Sequence, residues 1–310
     1  MVTRKKTKAR AAKPGFDAAR KHLAASAAAV EAGLVAWLGA RPEVPKRLRQ
    51  AMEHSLMAGG KRLRPALVFA AAELVGGARE AALPGAMALE MIHTYSLIHD
   101  DLPAMDDDDL RRGKPTCHVA YGEATAILAG DGLLTDAFGV LVSSGAEPAR
   151  VRLAVRELAA AAGAEGMVGG QQLDLEGEGG EVSVGAVEAI HEKKTAALIR
   201  AAVVLGAILG GGNEVEISAL GRYGVALGLA FQVADDVLDA TSTARELGKS
   251  PGKDLEQGKL TYVAAVGIDK ARRRARELAD EAVAHLSVFG NRPAAGVLRE
   301  LASLAVERKS

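Results

Sequence analysis

The chain has 310 residues, of which 49% are hydrophobic and 25% are charged, and its 39 basic residues balance its 39 acidic ones. This composition excludes collagen-like and wholly disordered proteins, and a formal net charge of zero gives no overall field to hold a nucleic acid. The single cysteine, Cys117, excludes an internal disulfide and a multi-cysteine zinc site, so we expect a reducing, cytoplasmic location.

The chain begins with a basic segment, residues 1–15, which we expect to be a disordered tail before one domain at residues 16–310. Alanine is abundant and aromatic residues make up only 3%, which favours helices over strands. Hydrophobic periodicity predicts helices at residues 16–38, 45–58, 65–75, 86–101, 125–142, 149–162, 185–209, 218–240, 255–267, 269–286 and 293–306. The longest stretch free of charged and amide residues, 201–212, is too short to span a membrane. We therefore predict an all-α, single-domain helical bundle with no membrane span.

The first chemically informative segment, residues 98–116, holds six aspartates and three basic residues at the end of an apolar helix. Two carboxylates about 4 Å apart repel by about 4 kcal/mol at an effective dielectric of 20, but by only about 1 kcal/mol in water. The segment alone is therefore equally consistent with a cation site and with a solvated acidic loop. An EF-hand calcium loop is excluded, because counting from Asp106 places Arg111 where glycine is needed and Cys117 where glutamate is needed.

A second acidic cluster lies in the predicted helix at residues 218–240. Asp235 and Asp239 are four residues apart, so they lie about 40° from each other on one helix face. The rest of this helix is apolar almost all round, which is typical of a buried helix. Because unpaired buried carboxylates cost several kcal/mol each, the two clusters together indicate magnesium shared with a phosphate substrate.

Basic clusters supply the charges that such a substrate would need. They are Gly59-Gly-Lys-Arg-Leu-Arg-Pro65, Arg111-Arg112, Lys193-Lys194-Thr195 and the segment 248–259. Gly59-Gly60-Lys61 is not a P-loop, because the four-residue spacer between its glycines is missing and no strand precedes it. Any one cluster alone is typical of a solvated face, but basic and acidic clusters that recur together favour a phosphate site.

These motifs, in this order, resemble those of the trans-isoprenyl diphosphate synthases over about residues 16–308. Asp100-Asp101, four residues and Asp106 resemble the first aspartate-rich motif of that family, and Asp235-Asp236-Val-Leu-Asp239 resembles the second. The resemblance implies a helical bundle of the isoprenoid synthase type around a central cavity. It also implies a homodimer and a prenyltransferase that uses three magnesium ions, with manganese able to replace them. The similarity is greatest to short-chain bacterial enzymes that make farnesyl diphosphate.

The resemblance assigns roles to individual residues. Asp100, Asp101 and Asp106 would bind magnesium on the allylic diphosphate, and Asp235 would bind another ion. The predicted contacts of the allylic diphosphate are Lys194, Thr195, Gln232, Lys249, Lys259 and Arg111, and those of isopentenyl diphosphate are Lys61, Arg64, His93 and Arg112. Which of residues 106–109 faces the metal is left open by the spacing. On an uninterrupted helix Asp106 would lie about 120° from Asp100, and we expect Pro103 to break the helix between them.

The resemblance implies that product length is set near Tyr95, which lies five residues before Asp100 on the same predicted helix. This spacing places Tyr95 roughly 7.5 Å from Asp100 along the axis and roughly 140° around it, with Ser96 nearer the Asp100 face. Helix geometry therefore does not decide between a wall of the substrate cavity and ordinary core. In the resembled family an aromatic residue here forms the floor of the hydrocarbon tunnel, which implies a fifteen-carbon, farnesyl product.

Four alternatives stay open at this point. A geranylgeranyl diphosphate synthase would share every motif and differ only in product length. A terpene cyclase typically has an Asn, Ser or Thr, Glu motif as its second site, and a non-catalytic subunit of a prenyl synthase typically lacks intact aspartate motifs. An acidic metal buffer leaves the basic clusters unexplained.

Overall fold

The computed structural model of the protein describes residues 15–241 and 259–307, so residues 1–14 of the predicted tail and Lys249 lie outside the described residues. The helices are α1 Asp17–Gly39, α2 Lys46–Leu56, α3 Leu63–Leu74, α4 Arg79–Asp100, α5 Cys117–Tyr121, α6 Glu123–Val142, α7 Pro148–Ala162, α8 Met167–Gly177, α9 Val184–Ile190, α10 Ala197–Leu209, α11 Glu214–Thr241, α12 Tyr262–Val266, α13 Ile268–His285 and α14 Pro293–Val306. A π-helical turn, His191–Ala196, joins α9 to α10, and a 3-10 turn, Leu286–Phe289, follows α13. The all-α prediction is confirmed.

Helix α10 lies at the centre of the bundle, with eleven of its thirteen residues buried. It packs against α3, α7 and α11. Gly206 allows the closest of these approaches, because a side chain there would collide with the carbonyl oxygen of Val68 on α3. Helix α11 also packs along α13, and α4 packs along α6. Helix α10 thus contacts both aspartate-bearing helices, α4 and α11.

Several element boundaries differ from the sequence-based predictions. Helix α4 begins seven residues before the predicted start and continues through Pro84, and it ends at Asp100, before Pro103. Helices α5 and α8 were not expected, and neither was the two-residue hairpin of β1 (Leu110–Arg111) and β2 (Lys114–Pro115), in which Leu110 pairs with Pro115. Helix α8 was not predicted because glycine has low helix propensity and three glycines lie at or near its start, namely Gly166, Gly169 and Gly170. Tertiary packing of α8 outweighs that propensity.

Three of the described helices, α1, α6 and α11, are long and apolar enough to span a membrane by length and composition alone. The sequence predicted no span because its longest uncharged stretch is short. In α11, which carries Asp235, 61% of an apolar stretch of 18 residues is buried inside the bundle. The absence of a membrane span stays a prediction.

Candidate active site

The two aspartate clusters meet at the C-terminal ends of their helices, since Asp100 ends α4 and Asp239 lies in the last turn of α11. They surround a cavity of about 220 Å3, which we call the aspartate pocket. Its charged lining residues are Asp100, Asp106, Asp108, Asp174, Asp235, Asp236, Asp239, Arg111, Lys194 and Lys259. A helix C-terminus carries partial negative charge, which disfavours a carboxylate and favours a cation. Of the four aspartates at 106–109, Asp106 and Asp108 line this pocket and the other two do not.

Burial and mutual repulsion shape the electrostatics of the aspartate pocket. Burial, aided by the nearby carboxylate of Asp106 and opposed by the charge of Lys194, raises the pKa of Asp100 to about 6. Burial acts in the same direction on Asp106, but Lys259, whose Nζ lies 3.0 Å from Asp106 Oδ1, holds the pKa of Asp106 below its usual value. Burial thus disfavours the charged forms of Asp100 and Asp106, and nearby lysines oppose that effect.

This donor set fits magnesium. Magnesium prefers carboxylate oxygens and is commonly held by one or two carboxylates together with substrate phosphates. Among the residues that the structure describes, no three His, Cys, Asp or Glu side chains are grouped closely enough to hold a metal ion. An ion held by Asp100, Asp106 or Asp235 would therefore complete its coordination with oxygens from water or a bound anion.

Asp101, a predicted metal ligand, contacts Arg111. Asp101 is 3% exposed, and Arg111 Nε donates to both of its carboxylate oxygens, at 2.7 and 2.9 Å. Burial raises the pKa of Asp101, against the opposing effect of the Arg111 hydrogen bond. Arg111 itself lines the aspartate pocket, whereas Asp101 does not. The pair fixes the Arg111 guanidinium at the edge of the site.

The π-helical turn presents Lys194 and Thr195 to the aspartate pocket. Two glycines allow this turn to be packed from both sides: a side chain at Gly170 of α8 would strike the backbone of Lys194, and one at Gly228 of α11 would strike Ala196. π-Helical turns are frequent at functional sites, because the extra residue redirects neighbouring side chains. Close helix packing therefore holds a lysine and a threonine at the cavity wall.

Hydrogen bonds then orient the side chains of this turn. Lys194 Nζ lies 2.6 Å from Asp174 Oδ2, and Thr195 Oγ1 donates to Gln232 Oε1 at 2.8 Å. Gln232 Nε2 in turn donates to Asp236 Oδ1 at 3.2 Å. The result is a continuous chain of polar contacts from α8 through the π-helical turn to α11.

The sequence analysis missed Asp174 and His191 in this network, and it named Asp236 only as part of the second aspartate-rich motif. Asp174 and Asp236 are 8% and 6% exposed, and His191 Nε2 lies 3.4 Å from Asp236 Oδ2. The backbone N–H of Tyr262 donates to the same oxygen at 2.6 Å. The signal that could have indicated Asp174 is the acidic residue within the otherwise uncharged segment 166–175.

A second cavity, the basic pocket, has a volume of about 920 Å3 and lies beside α3, α4 and α14. Its polar lining includes the four residues predicted for isopentenyl diphosphate, namely Lys61, Arg64, His93 and Arg112, together with Arg62 and Glu90. Gly60 has a φ of +127°, and a side chain there would collide with the guanidinium of Arg112. Glycine is therefore required where the loop approaches Arg112.

His93 is held neutral in the basic pocket, because burial and the nearby arginines lower its pKa well below 6.5. Below pH 6.5 the His93 imidazole binds a proton in the unfolded chain but stays neutral in the folded chain. The free energy of unfolding therefore falls as the pH drops below 6.5. The loss is at most about 1.4 kcal/mol per pH unit. We expect thermal unfolding between pH 7.5 and 5.5 to show a smaller decrease in Tm for His93→Gln than for the wild type. Equal decreases would contradict this assignment.

The third cavity, the apolar pocket, has a volume of about 750 Å3. It shares Asp100 and Lys194 with the aspartate pocket and Arg64 and His93 with the basic pocket. Its lining also includes Tyr95, Ser96, His99, Met105, Ile127, Met167, Val168, Leu175, Thr195, Phe231 and Gln232. The three cavities thus adjoin, because the apolar pocket shares charged residues with each of the other two.

Tyr95 is 5% exposed, and its ring meets His99 edge-on with 5.8 Å between the centroids. Burial, with a smaller effect from the charge of Asp100, raises the pKa of Tyr95 to about 12. The cavity lining also includes Ile127 of α6 and Val168 of α8. Tyr95 is therefore one part of a wall to which three helices contribute.

Comparison with known proteins gives consistent relatives. Residues 45–288 match a family model described as polyprenyl synthetase. The chain is 53% identical over 257 residues to a chloroplastic geranylgeranyl pyrophosphate synthase of Capsicum annuum, which covers 82% of this chain and 70% of the relative. It is 51% identical over 261 residues to a chloroplastic heterodimeric geranylgeranyl pyrophosphate synthase large subunit of Arabidopsis thaliana, with 82% and 70% covered.

Solved structures share the same architecture. An FPP/GFPP synthase from Zymomonas mobilis superposes with a TM-score of 0.82 at 39% identity, covering 94% of this chain and all of the other. A geranyltransferase from Helicobacter pylori, complexed with magnesium and isoprenyl diphosphate, superposes with a TM-score of 0.79 at 31% identity, covering 96% and 98%. The agreement extends over nearly the whole chain.

These relatives correct two of the sequence-based predictions. The farnesyl product is wrong, because curated relatives about 50% identical over most of the chain are geranylgeranyl synthases. The contribution of Ile127 and Val168 to the cavity wall gives a physical reason, since Tyr95 is not the sole determinant of its shape. The cytoplasmic location is contradicted as well, because the same relatives are chloroplastic.

Proposed function

Because this chain belongs to the polyprenyl synthetase family, we propose that it is a prenyltransferase that makes geranylgeranyl diphosphate from isopentenyl diphosphate and an allylic diphosphate. The observation that carries this proposal is the junction of the three pockets. The basic and aspartate pockets offer two separate sites for anions, and the apolar pocket shares lining residues with both. A hydrocarbon chain with one charged end fits such a junction.

The allylic diphosphate would lie in the aspartate pocket, with its hydrocarbon chain in the apolar pocket. Lys194, Lys259 and Arg111 are positioned to contact its oxygens, and Asp100, Asp106 and Asp235 would hold magnesium. Magnesium, when bound there, neutralises the charge that grows on the departing diphosphate. We propose three such ions, with manganese able to replace them, and the magnesium complex of the Helicobacter pylori relative supports the choice of metal.

Each chemical step adds the five-carbon unit of isopentenyl diphosphate to an allylic diphosphate. The carbon–oxygen bond of the allylic diphosphate breaks, its electron pair leaves with the diphosphate, and an allylic cation forms. Lys194 stabilises the leaving group, and the oxygens of Thr195 and Gln232 lie at the wall where the cation forms. The double bond of isopentenyl diphosphate attacks the cation, and loss of a proton to the departing diphosphate restores a double bond.

Isopentenyl diphosphate would occupy the basic pocket, its diphosphate facing Lys61, Arg64 and Arg112. A neutral His93 can donate one hydrogen bond to this anion without needing a proton from solution. The pocket shares Arg64, His93 and Arg112 with the apolar pocket, which brings the two substrates together. Bringing both reactants to one junction makes the condensation effectively intramolecular.

The proposal is tested by supplying dimethylallyl diphosphate with excess isopentenyl diphosphate and identifying the dephosphorylated product by mass. We expect a twenty-carbon alcohol as the main product. A fifteen-carbon main product would contradict the geranylgeranyl assignment. Diphosphate release without isopentenyl diphosphate would instead indicate a cyclase, and no turnover would indicate a non-catalytic subunit.

Removing the Tyr95 ring tests whether it limits chain growth. We expect Tyr95→Ala to shift the main product beyond twenty carbons, because loss of the ring enlarges the apolar pocket. Tyr121→Ala is the matched control, since Tyr121 is half-buried outside this pocket, and its product should stay unchanged. Thermal unfolding verifies that both variants are folded. Unchanged product lengths in Tyr95→Ala would leave Tyr95 as ordinary core.

We also propose that the chain forms a homodimer. Helix α6 exposes large apolar side chains at Ile127, Leu128 and Val142, which are 45%, 58% and 59% exposed. A symmetric pair could cover such a face. The Arabidopsis thaliana relative is named as a heterodimeric large subunit, so pairing is expected of that protein as well.

A further inference from the structure

Arg62 lies at the middle of the Gly-Gly-Lys-Arg-Leu-Arg-Pro loop, and its side chain is only 1% exposed. Its guanidinium makes three contacts with three different helices. Nε donates to Glu31 Oε1 of α1 at 3.1 Å, one terminal nitrogen donates to Glu90 Oε1 of α4 at 2.5 Å, and the other donates to the carbonyl oxygen of Leu56 in α2 at 2.5 Å. All three nitrogens are thus engaged by protein oxygens.

The backbone of Arg62 is also unusual. Its φ of 46° and ψ of 39° lie in the left-handed region, which non-glycine residues occupy only where the surroundings enforce it. The buried contacts to Glu31, Glu90 and Leu56 supply that enforcement. The side chain of Glu90 is 4% exposed, so the ion pair is buried at both ends. The buried side chain of Arg62 therefore fixes the conformation of the loop.

Residues close in sequence to Arg62 and to Glu90 connect this ion pair to the basic pocket. Lys61 precedes Arg62 directly, and Arg64 follows it by two residues at the start of α3. On α4, Glu90 lies one turn before His93, so the two share a helix face. The Arg62–Glu90 pair thus sets the position of the Lys61–Arg64 loop relative to His93. Lys61, Arg64 and His93 come from two separate elements, and this pair is a direct bond between those elements.

We propose that Arg62 and Glu90 are positioning residues for isopentenyl diphosphate, which hold Lys61 and Arg64 at the correct distance from His93. This inference rests on the proposed function, which places isopentenyl diphosphate in the basic pocket. Both residues line the basic pocket, but the guanidinium nitrogens of Arg62 are engaged by protein oxygens, so we assign neither residue a direct contact with the substrate. Their role is to make the loop and α4 a single rigid anion site.

The test is steady-state kinetics on Arg62→Lys, with each substrate varied in turn. Lysine keeps the charge, but one ammonium cannot reach three acceptors that lie in three directions. We expect the KM for isopentenyl diphosphate to rise at least 10-fold, with the KM for the allylic diphosphate within 2-fold and kcat within 3-fold of the wild type. A purely structural role would instead lower the active fraction, so that kcat falls while both KM values stay unchanged.

Arg79→Lys is the matched control, because Arg79 also bridges elements through Glu73, at 2.7 Å, but lies outside the basic pocket. Its Tm should fall while both KM values stay at wild-type levels. Should Arg62→Lys fail to fold, Glu31→Gln decides, since Glu31 is 41% exposed and its loss removes one contact of Arg62. We expect this milder variant to raise the KM for isopentenyl diphosphate 2- to 5-fold.

The outcomes separate this inference from the proposed function. A wild-type protein that never consumes isopentenyl diphosphate would refute the proposed function itself. A wild-type protein that does consume it, combined with an unchanged KM for isopentenyl diphosphate in the folded variants, would overturn the positioning role alone.

Discussion

We expect Asp100→Asn to lower turnover at least about 100-fold, which corresponds to nearly 3 kcal/mol of lost transition-state stabilisation. The substitution preserves the shape of the side chain and removes one negative charge from the aspartate pocket. The carboxylate of Asp100 already binds a proton more readily than an exposed aspartate does, since its pKa is raised to about 6, mainly by burial. A cation bound beside Asp100 would therefore be held more weakly in the variant. Initial rates of diphosphate release at saturating substrate measure the effect.

Asp107→Asn is the matched control for this experiment. Asp107 belongs to the same aspartate-rich segment but is exposed and does not line the aspartate pocket. Its φ of 50° is left-handed, and asparagine tolerates that conformation, so the backbone should stay unchanged. We expect its turnover to remain within about 2-fold of the wild type. Comparable losses in both variants would show that the negative charge of the whole segment matters and not the position of Asp100.

The second large effect concerns the metal. Removing divalent cations with a chelator should abolish turnover, by at least about 1,000-fold, or about 4 kcal/mol. Without cations the carboxylates of Asp100, Asp106 and Asp235 repel the diphosphate that Lys194 and Lys259 attract. Adding magnesium should restore turnover, and manganese should do so at least in part.

Dialysis against the chelator, followed by assay in metal-free buffer, gives the measurement. Thermal unfolding of the metal-free protein checks that lost activity does not reflect lost structure. Calcium serves as a comparison ion, because it prefers six to eight oxygens at longer distances than magnesium does. Undiminished turnover after complete metal removal would contradict the magnesium assignment for the aspartate pocket.

The sequence predicted the helices and the two aspartate clusters because both depend on local pattern. Helical periodicity is visible in any window of two or three turns, and the spacing of Asp235 and Asp239 fixes their common face. The sequence did not predict the junction of the pockets, since the resemblance implied only a central cavity and two diphosphate sites. Asp100 and Asp235 are 135 residues apart, and no local pattern reports that their helices end together.

Residues that act through buried contacts could not be predicted from the sequence. Asp174 becomes informative only when Lys194 lies 2.6 Å away, and Glu90 only when Arg62 reaches it from another element. Helix α8 was missed because its glycines lower helix propensity, yet Gly170 is needed where α8 touches the π-helical turn. Long-range packing decides all three cases.

The π-helical turn at His191–Ala196 also restricts how this gene can vary in length. Removing one residue from the turn would restore regular α-helical winding and rotate everything before it by about 100° relative to α10. His191 would then leave Asp236, and the Lys194 side chain would turn away from Asp174. A one-residue deletion, harmless in most surface loops, is therefore expected to be as damaging here as the loss of the lysine itself.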